Sequence, residues 1–205
     1  MGSEMCIRDR YSFIDENSAK LFGGGDASTQ LENPISSEMS HMRPDLFPGL
    51  LQAASRNQAR GFFNMALFEL GPVFNGGDPG NQQNNLSGVL IGQTASKDVH
   101  GQDREVDVFD VKCHIENILS LIGAPSKFQI LRGAESHWHP GRHGRICLGP
   151  KKTIGIFGEL HPKILSSFDI KGPTVGFTIL LDNIPTPRNS NTTRPPFRAR
   201  SLQAV

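Results

Sequence analysis

Apolar residues fall at helical spacing at Phe47, Leu50, Leu51 and Ala54, then switch to a period of two from Met65 to Phe74. The first pattern predicts an amphipathic helix, with Pro48 in its first turn and Gly61 at a left-handed stop. In the second, Ala66, Phe68, Leu70, Pro72 and Phe74 share one face and Met65, Leu67 and Val73 the other. Two apolar faces predict a central strand rather than an edge. Glu69 interrupts this strand, and a carboxylate is costly to bury without a donor or cation. Arg43 is the candidate partner, since a guanidinium satisfies a carboxylate through two parallel hydrogen bonds; otherwise it serves as a backbone clamp.

The same reading places a strand at 11–14 and a short helix capped by Asn17 and ending at Phe22. Gly23, Gly24 and Gly25 stop that helix. Because this glycine run follows a helix instead of leading from a strand into one, it reads as a turn and not a phosphate cradle. Residues 76–85 are rich in Gly, Asn and Gln and read as an exposed loop, followed by a strand at 86–92. A short strand at 106–109 leads to Asp110, the expected N-cap of a helix in which Val111, Ile115, Ile118, Leu119 and Ile122 recur at helical spacing, ended by Gly123 and Pro125. Strands follow at 128–131, at 145–148 and 153–157 as a hairpin around Pro150 and Lys151, and at 174–181. Residues 158–162 close the hairpin and open a short helix with Pro162 in first position. Paired strands interrupted by three helices, without strict alternation, predict an α+β fold: a mostly antiparallel sheet with helices on its faces.

Composition narrows the class. With 205 residues, 37% hydrophobic and 20% charged, the chain supports one core, and a net charge of +1 argues against a dominant polyanion-binding surface. Cys6, Cys113 and Cys147 are odd in number and lack CxxC spacing, as expected of reduced thiols in a cytoplasmic protein. No apolar run approaches the ~18 residues of a membrane span. Residues 1–10 lack the apolar core of a secretory signal and are expected to be a non-native or scar segment outside the fold.

Three constellations invite a chemical reading. His137, His139, His143 and Cys147 offer metal-ligand types, but Cys147 lies in an apolar strand and the two first histidines flank Trp138 in a Pro-Gly loop, so a structural turn is the preferred account. Arg142, Arg145, Lys151 and Lys152 form a basic hairpin tip that reads as solvated. His161 has no nucleophile or carboxylate partner at a recognisable spacing, and Lys112 with Glu116 is a surface i,i+4 pair.

The runs 31–36 (Leu-Glu-Asn-Pro-Ile-Ser), 42–51 with Met42-Arg43-Pro44 and Pro48-Gly49-Leu50-Leu51, Arg56-Asn57, 67–74 (Leu-Phe-Glu-Leu-Gly-Pro-Val-Phe) and 106–112 (Val-Asp-Val-Phe-Asp-Val-Lys) together resemble the catalytic-like domain of bacterial phenylalanine–tRNA ligase beta subunits. The resemblance implies a non-catalytic copy of the class II aminoacyl-tRNA synthetase fold over 11–187. It further implies that the long helix of the first class II signature, absent here, belongs before residue 11, and that its loss leaves exposed apolar surface. A proline-rich linker and the first residues of a ferredoxin-like anticodon-binding domain are expected over 188–205.

Active class II enzymes hold ATP with a strand ending Phe-Arg-x-Glu and a later Gly-x-Gly-x-Glu-Arg. Laid on Gly71-Pro72-Val73-Phe74, the first pattern puts Asn75 at the arginine and Gly77 at the glutamate. Anchored on His161-Pro162 and Gly176-Phe177, the second puts Leu180 and Asp182 at glycines, Ile184 at the glutamate and Pro185 at the arginine. The pocket is therefore expected to be filled and uncharged, with no catalytic, cofactor-binding or metal-binding residue in this chain. By resemblance, ATP, Mg²⁺ and phenylalanine belong to the alpha subunit of an α₂β₂ heterotetramer, and tRNA to other domains, with no role for membrane or DNA. Two rival readings differ in their chemistry. An active ligase would need Arg43, Arg56 or Arg60 to reach phosphate, and a free-standing RNA-binding module would need a basic face with stacking aromatics, against one Trp and one Tyr.

Overall fold

The computed structural model describes residues 11–94, 104–133, 137–150 and 152–185. The segments 1–10 and 186–205, which include the expected scar, the expected linker and the expected domain entry, lie outside the described residues, as does Lys151.

The chain opens with β1 (Phe13–Ile14), which pairs antiparallel with β2 (His41–Met42) and is separated from it by α1 (Glu16–Leu21). Asp15, not Asn17, caps α1. Its extended backbone places the carboxylate 2.9 Å from the Ser18 amide, whereas Asn17 is already inside the helix. The expected helix at 47 is α2 (Phe47–Gln58), with Pro48 in its first turn and Gly61 beyond its end at φ +88°. Its capping bond comes from Asp45, whose Oδ1 accepts from the Phe47 amide at 3.0 Å.

Next, β3 (Met65–Phe74) and β4 (Gln82–Ile91) pair residue for residue, from Met65 opposite Ile91 to Phe74 opposite Gln82. Residues 82–85 are thus strand where polar composition predicted loop; ladder hydrogen bonds are main-chain bonds and tolerate Gln and Asn side chains. The helix α3 (Val108–Leu121) starts one turn earlier than expected, because Asp107 is its N-cap and Asp110 its third residue. Asp107 accepts from the Phe109 and Asp110 amides, and the Asp110 carboxylate accepts from the Asp107 amide at 2.9 Å, a reciprocal box. The strand expected at 106–109 is therefore absent, and a single bridge joins Gln93 to Glu105. Val111, Ile115 and Leu119 are buried, while Ile122 caps the end and is exposed.

The sheet is completed by β5 (Gln129–Leu131), β6 (Trp138–Leu148), β7 (Lys152–Leu160) and, after α4 (Pro162–Ser167), β8 (Thr174–Leu180). Most of the expected turn at 137–143 lies within β6. The chain stays in the sheet there by a register irregularity between Trp138, opposite Leu160, and His143, opposite Gly158. For the same reason β7 runs on to Leu160, past the expected end of the hairpin.

All six strands of the main sheet are antiparallel, in the order β3-β4-β8-β7-β6-β5. This α+β architecture carries α2 on one face and α3 on the other. Phe47, Leu50, Leu51 and Ala54 of α2 pack with Val89, Ile91, Ile156 and Leu160, and α3 packs with Ile146, Ile154, Phe157, Val175 and Ile179. Gly176 allows the first contact: a Cβ there would lie 2.7 Å from the Phe47 ring.

The order makes β3 an edge strand, not the central one expected from its two apolar faces. Met65 and Leu67 pack on the α2 core, but Phe68 and Leu70 on the other face are 65% and 63% exposed. Pro72, with no N–H to give to a further strand, is the residue that signals an edge.

Arg43 fastens this edge. Its amide donates to Ser12 O at 2.9 Å and its carbonyl accepts from Phe74 N at 3.0 Å. In its side chain Nε donates to Pro72 O at 2.9 Å and Nη1 to Glu69 Oε1. The two side chains are 7% and 10% exposed. A Cβ on Gly71 would stand 2.5 Å from Nη2, so glycine leaves room for the guanidinium. Because a buried charge without its partner is strongly destabilising, Glu69→Ala is expected to lower the unfolding free energy by about 3–5 kcal/mol. Lys112→Ala, which removes an exposed i,i+4 pair, is expected to leave the urea midpoint nearly unchanged.

Candidate functional site

On the α2 face, the C-terminal end of β3, the start of β4 and the end of β8 form the floor of a half-open cleft of about 480 Å³. Strand register builds this floor: Val73 stands opposite Gln83, Asn85 opposite Leu180, and Ser87 opposite Thr178, which in turn faces Ile156. Phe22, Gly23, Pro44 and Asp45 supply one wall and His137 with Trp138 another.

Of the signature positions, Asn75 and Leu180 line this cleft and the others do not. Gly77 lies against the segment after α1, where a Cβ would meet Ser28 O at 2.5 Å. Asp182 accepts from the Asn84 amide at 2.7 Å, Ile184 packs on the α3 core, and Pro185 is exposed. Leu180 is half-buried along the wall of this cleft, which is open to solvent.

No Lys or Arg lines the cleft among the described residues. Arg43 is held by Glu69 and Pro72, and Arg56 and Arg60 are exposed at the C-terminal end of α2. A triphosphate with Mg²⁺ needs cationic donors around its oxygens, and the lining offers instead the Asp45 carboxyl, amides and aromatic rings. These residues do not fit ATP.

What the cleft does present is neutral polarity beside aromatic surface. Ser87 Oγ and Thr178 Oγ1 are 2.8 Å apart and satisfy each other. Trp138 stands edge-on to Phe47, ring centres 5.3 Å apart, and Phe22 lies 5.1 Å from His137. Asn85 Oδ1 and Trp138 Nε1 are buried without a hydrogen-bond partner among the described residues. Each such group costs about 1–3 kcal/mol when left unmet. Sequence reasoning singled out neither Asn85 nor Asp45 for this place; the one available signal was a lone Trp in a polar segment.

The remaining candidates are engaged elsewhere. His143 Nε2 accepts from the Gly133 amide, so its Nδ1 donates to His139 O; His139 Nδ1 accepts from Gly141 N. Cys147 Sγ lies 3.6 Å from Thr153 Oγ1, and Arg142 pairs with Glu159 at 3.0 Å. His161 caps α4, its Nδ1 accepting from Lys163 N.

Residues 10–181 match the family described as the phenylalanyl tRNA synthetase beta chain CLM domain. The chain belongs to this family. It is 59% identical over its whole length to the phenylalanine–tRNA ligase beta subunit of Ruegeria pomeroyi and 55% identical to that of Cereibacter sphaeroides. It spans about a quarter of the length of each, 25%. Among solved structures, pyrrolysyl-tRNA synthetase from Desulfitobacterium hafniense superposes with a TM-score of 0.59 at 16% identity, covering 85% of this chain and 60% of that one. The fold of the family is thus that of class II synthetases, and the cleft described above lies on its sheet.

Asp45 gives the cleft a pH signature. Burial pushes its carboxyl up to about 6, against the opposing pull of the Phe47 and Leu46 amides and the Arg43 charge. The folded chain therefore holds this proton more tightly than the unfolded chain, whose Asp titrates near ~4. The corresponding stability is complete below about pH 4, and is lost as pH rises through about 6. Asp45→Asn keeps the acceptor for the Phe47 amide and does not titrate. Its stability relative to the parent is expected to rise by roughly 3 kcal/mol between pH 4 and 7 in paired urea melts.

Proposed function

We propose that this chain is part of a phenylalanine–tRNA ligase beta subunit, in which it acts as a non-catalytic scaffold for the alpha subunit during ATP-dependent attachment of phenylalanine to its tRNA. The observation that carries the reading is a class II sheet whose cleft has no cation among its described lining residues. Adenylate formation is an in-line attack on the α-phosphate, and losing one pre-organised stabilising group typically costs ~10² to 10³ in rate. Here the arginine-equivalent positions hold Asn75 and Pro185, and neither side chain carries charge.

In this reading ATP, Mg²⁺ and phenylalanine bind the alpha subunit of an α₂β₂ assembly in the cytoplasm, and tRNA is met by parts of the beta subunit beyond this sequence. No helix among the described residues is long and apolar enough to cross a membrane. The exposed Phe68 and Leu70 on the edge strand supply an apolar strip for the alpha subunit, because side chains of this size left in water favour a partner. Calorimetric titration of the folded chain with ATP and Mg²⁺ is expected to give no heat of binding, and micromolar binding would overturn the scaffold reading. Phe68→Asp combined with Leu70→Asp is expected to abolish co-purification with the alpha subunit while circular dichroism stays unchanged. Retained co-purification would move the interface elsewhere.

A further inference from the structure

We propose that the C-terminal end of α2 and the turn after it bind unpaired nucleotides of RNA, the Phe62 and Phe63 rings stacking on bases while Arg56, Arg60 and Lys171 meet the phosphates. The inference goes beyond the scaffold reading, which leaves tRNA to parts beyond this sequence, and it does not rest on that reading.

Two independent observations converge on this end of the molecule. The first is aromatic. Phe62 and Phe63 are consecutive and 63% and 54% exposed. Their backbone is fixed on both sides. Phe62 N donates to Asn57 O at 3.1 Å across Gly61, which sits at φ +88°. Beyond them, a Cβ on Gly92 would stand 2.6 Å from Phe63 O, and Asn64 Oδ1 accepts from Gln93 N at 3.1 Å. A base thus meets rings on a turn already anchored to α2 and to the end of β4, so less ordering opposes binding. Phenylalanine presents a π-face as Trp and Tyr do, and stacking on it tolerates any base.

The second is charge. Arg56 and Arg60 are four residues apart, and the Gln58 side chain between them holds Lys171 twice, accepting from its amide at 2.9 Å and donating to its carbonyl at 2.8 Å. All three cations are exposed, and none of their side chains has an ion-pair or hydrogen-bond partner among the described residues. They are not spent on capping either, because the amides of Ala59, Arg60, Gly61 and Phe62 already meet the carbonyls of Ser55, Asn57 and Gln58. No Asp or Glu occurs between Asp45 and Glu69, and Asp169 is the one acid in the 169–173 turn that carries Lys171. Free cations beside exposed rings are the two parts of a single-strand platform, the charge following the phosphates and the rings taking the bases. A protein partner that covered the rings alone would leave the three charges without a role, and an RNA duplex would hide its base faces from the rings.

The whole chain is titrated with a short fluorescein-labelled oligoadenylate, read by anisotropy over a range of salt, and with an RNA duplex of equal length. The single strand is expected to bind more tightly than the duplex. Phe62→Ala combined with Phe63→Ala should weaken binding at least about fivefold without changing the salt dependence. Arg56→Ala combined with Arg60→Ala should instead flatten the slope of log affinity against log salt, by roughly 0.7 per arginine. All four side chains are exposed, so circular dichroism and urea midpoints should match the parent. Ultraviolet crosslinking of the bound strand should mark the tryptic peptide that begins at Gly61. Three results would overturn the proposal: equal affinity for the duplex, undiminished affinity in the ring variant, or crosslinks confined to other peptides. Undiminished RNA affinity in the ring variant together with lost co-purification of the alpha subunit would assign the rings to a protein interface instead. The scaffold reading is judged by ATP binding and by the Phe68 and Leu70 variants, so either reading can fail without the other.

Discussion

Two distant parts of the chain, Ser12 and the strand β3, are joined at the guanidinium and backbone of Arg43. Its amide reaches Ser12, just before β1, its carbonyl the end of β3, and its side chain Glu69 and Pro72 in the same strand. Two residues later Asp45 caps α2, and one residue earlier Met42 pairs with Phe13. The small sheet, the main sheet and the helix that roofs it are thus tied through a stretch of four residues. A buried ion pair is a poor source of net stability compared with apolar packing, but it is directional, and direction is what this junction requires. If α2 entered at another angle, Phe47 would not reach Gly176, and the wall made by Pro44 and Asp45 would not stand over the ends of β4 and β8.

Elements whose side chains alone decide their fate were legible in the sequence. The α2 stripe was readable because all four of its apolar positions face one core, and the Arg43–Glu69 contact because a carboxylate between apolar neighbours needs a donor. Elements decided by the main chain or by what lies outside the chain were not. Apolar alternation on both faces of 65–74 suggests burial by two layers, yet among the described residues no layer covers Phe68 and Leu70. The polar start of β4 gave no strand signal, since Gln82 to Asn85 are held by β3 through ladder bonds. At α3 two aspartates three apart competed for one cap, and the reciprocal box settles the choice in favour of the first.

The cleft was the least legible feature because it has no local signature. Asp45, Trp138, Asn85 and Leu180 come from four separated segments, and only strand register brings the last two side by side. Of the expected signature positions, Asn75 and Leu180 line the cleft, and Leu180 leaves it open. A leucine on a twisted sheet occupies one wall; removing cations changes what a cavity attracts far more than whether it exists. With no Lys or Arg among its described lining residues, the cleft offers a polyanion no counter-charge.

The strand order has a kinetic consequence. The β3–β4 hairpin and the β5–β6–β7 meander touch neither each other nor a common partner in the sheet until β8, the latest strand among the described residues, inserts between them. During synthesis the inward edges of β4 and β7 stay open until β8 arrives; β7 then pairs across a short connection through α4, whereas β4 must close a loop of about eighty residues, from Ile91 to Thr174, before any bond rewards it. A nascent chain of this kind waits with two unsatisfied sheet edges, a state prone to pairing with neighbours. Assembly is therefore governed by the arrival of residues 174–180, and substitutions in β8 act on the yield of folded protein before they act on anything the folded protein does.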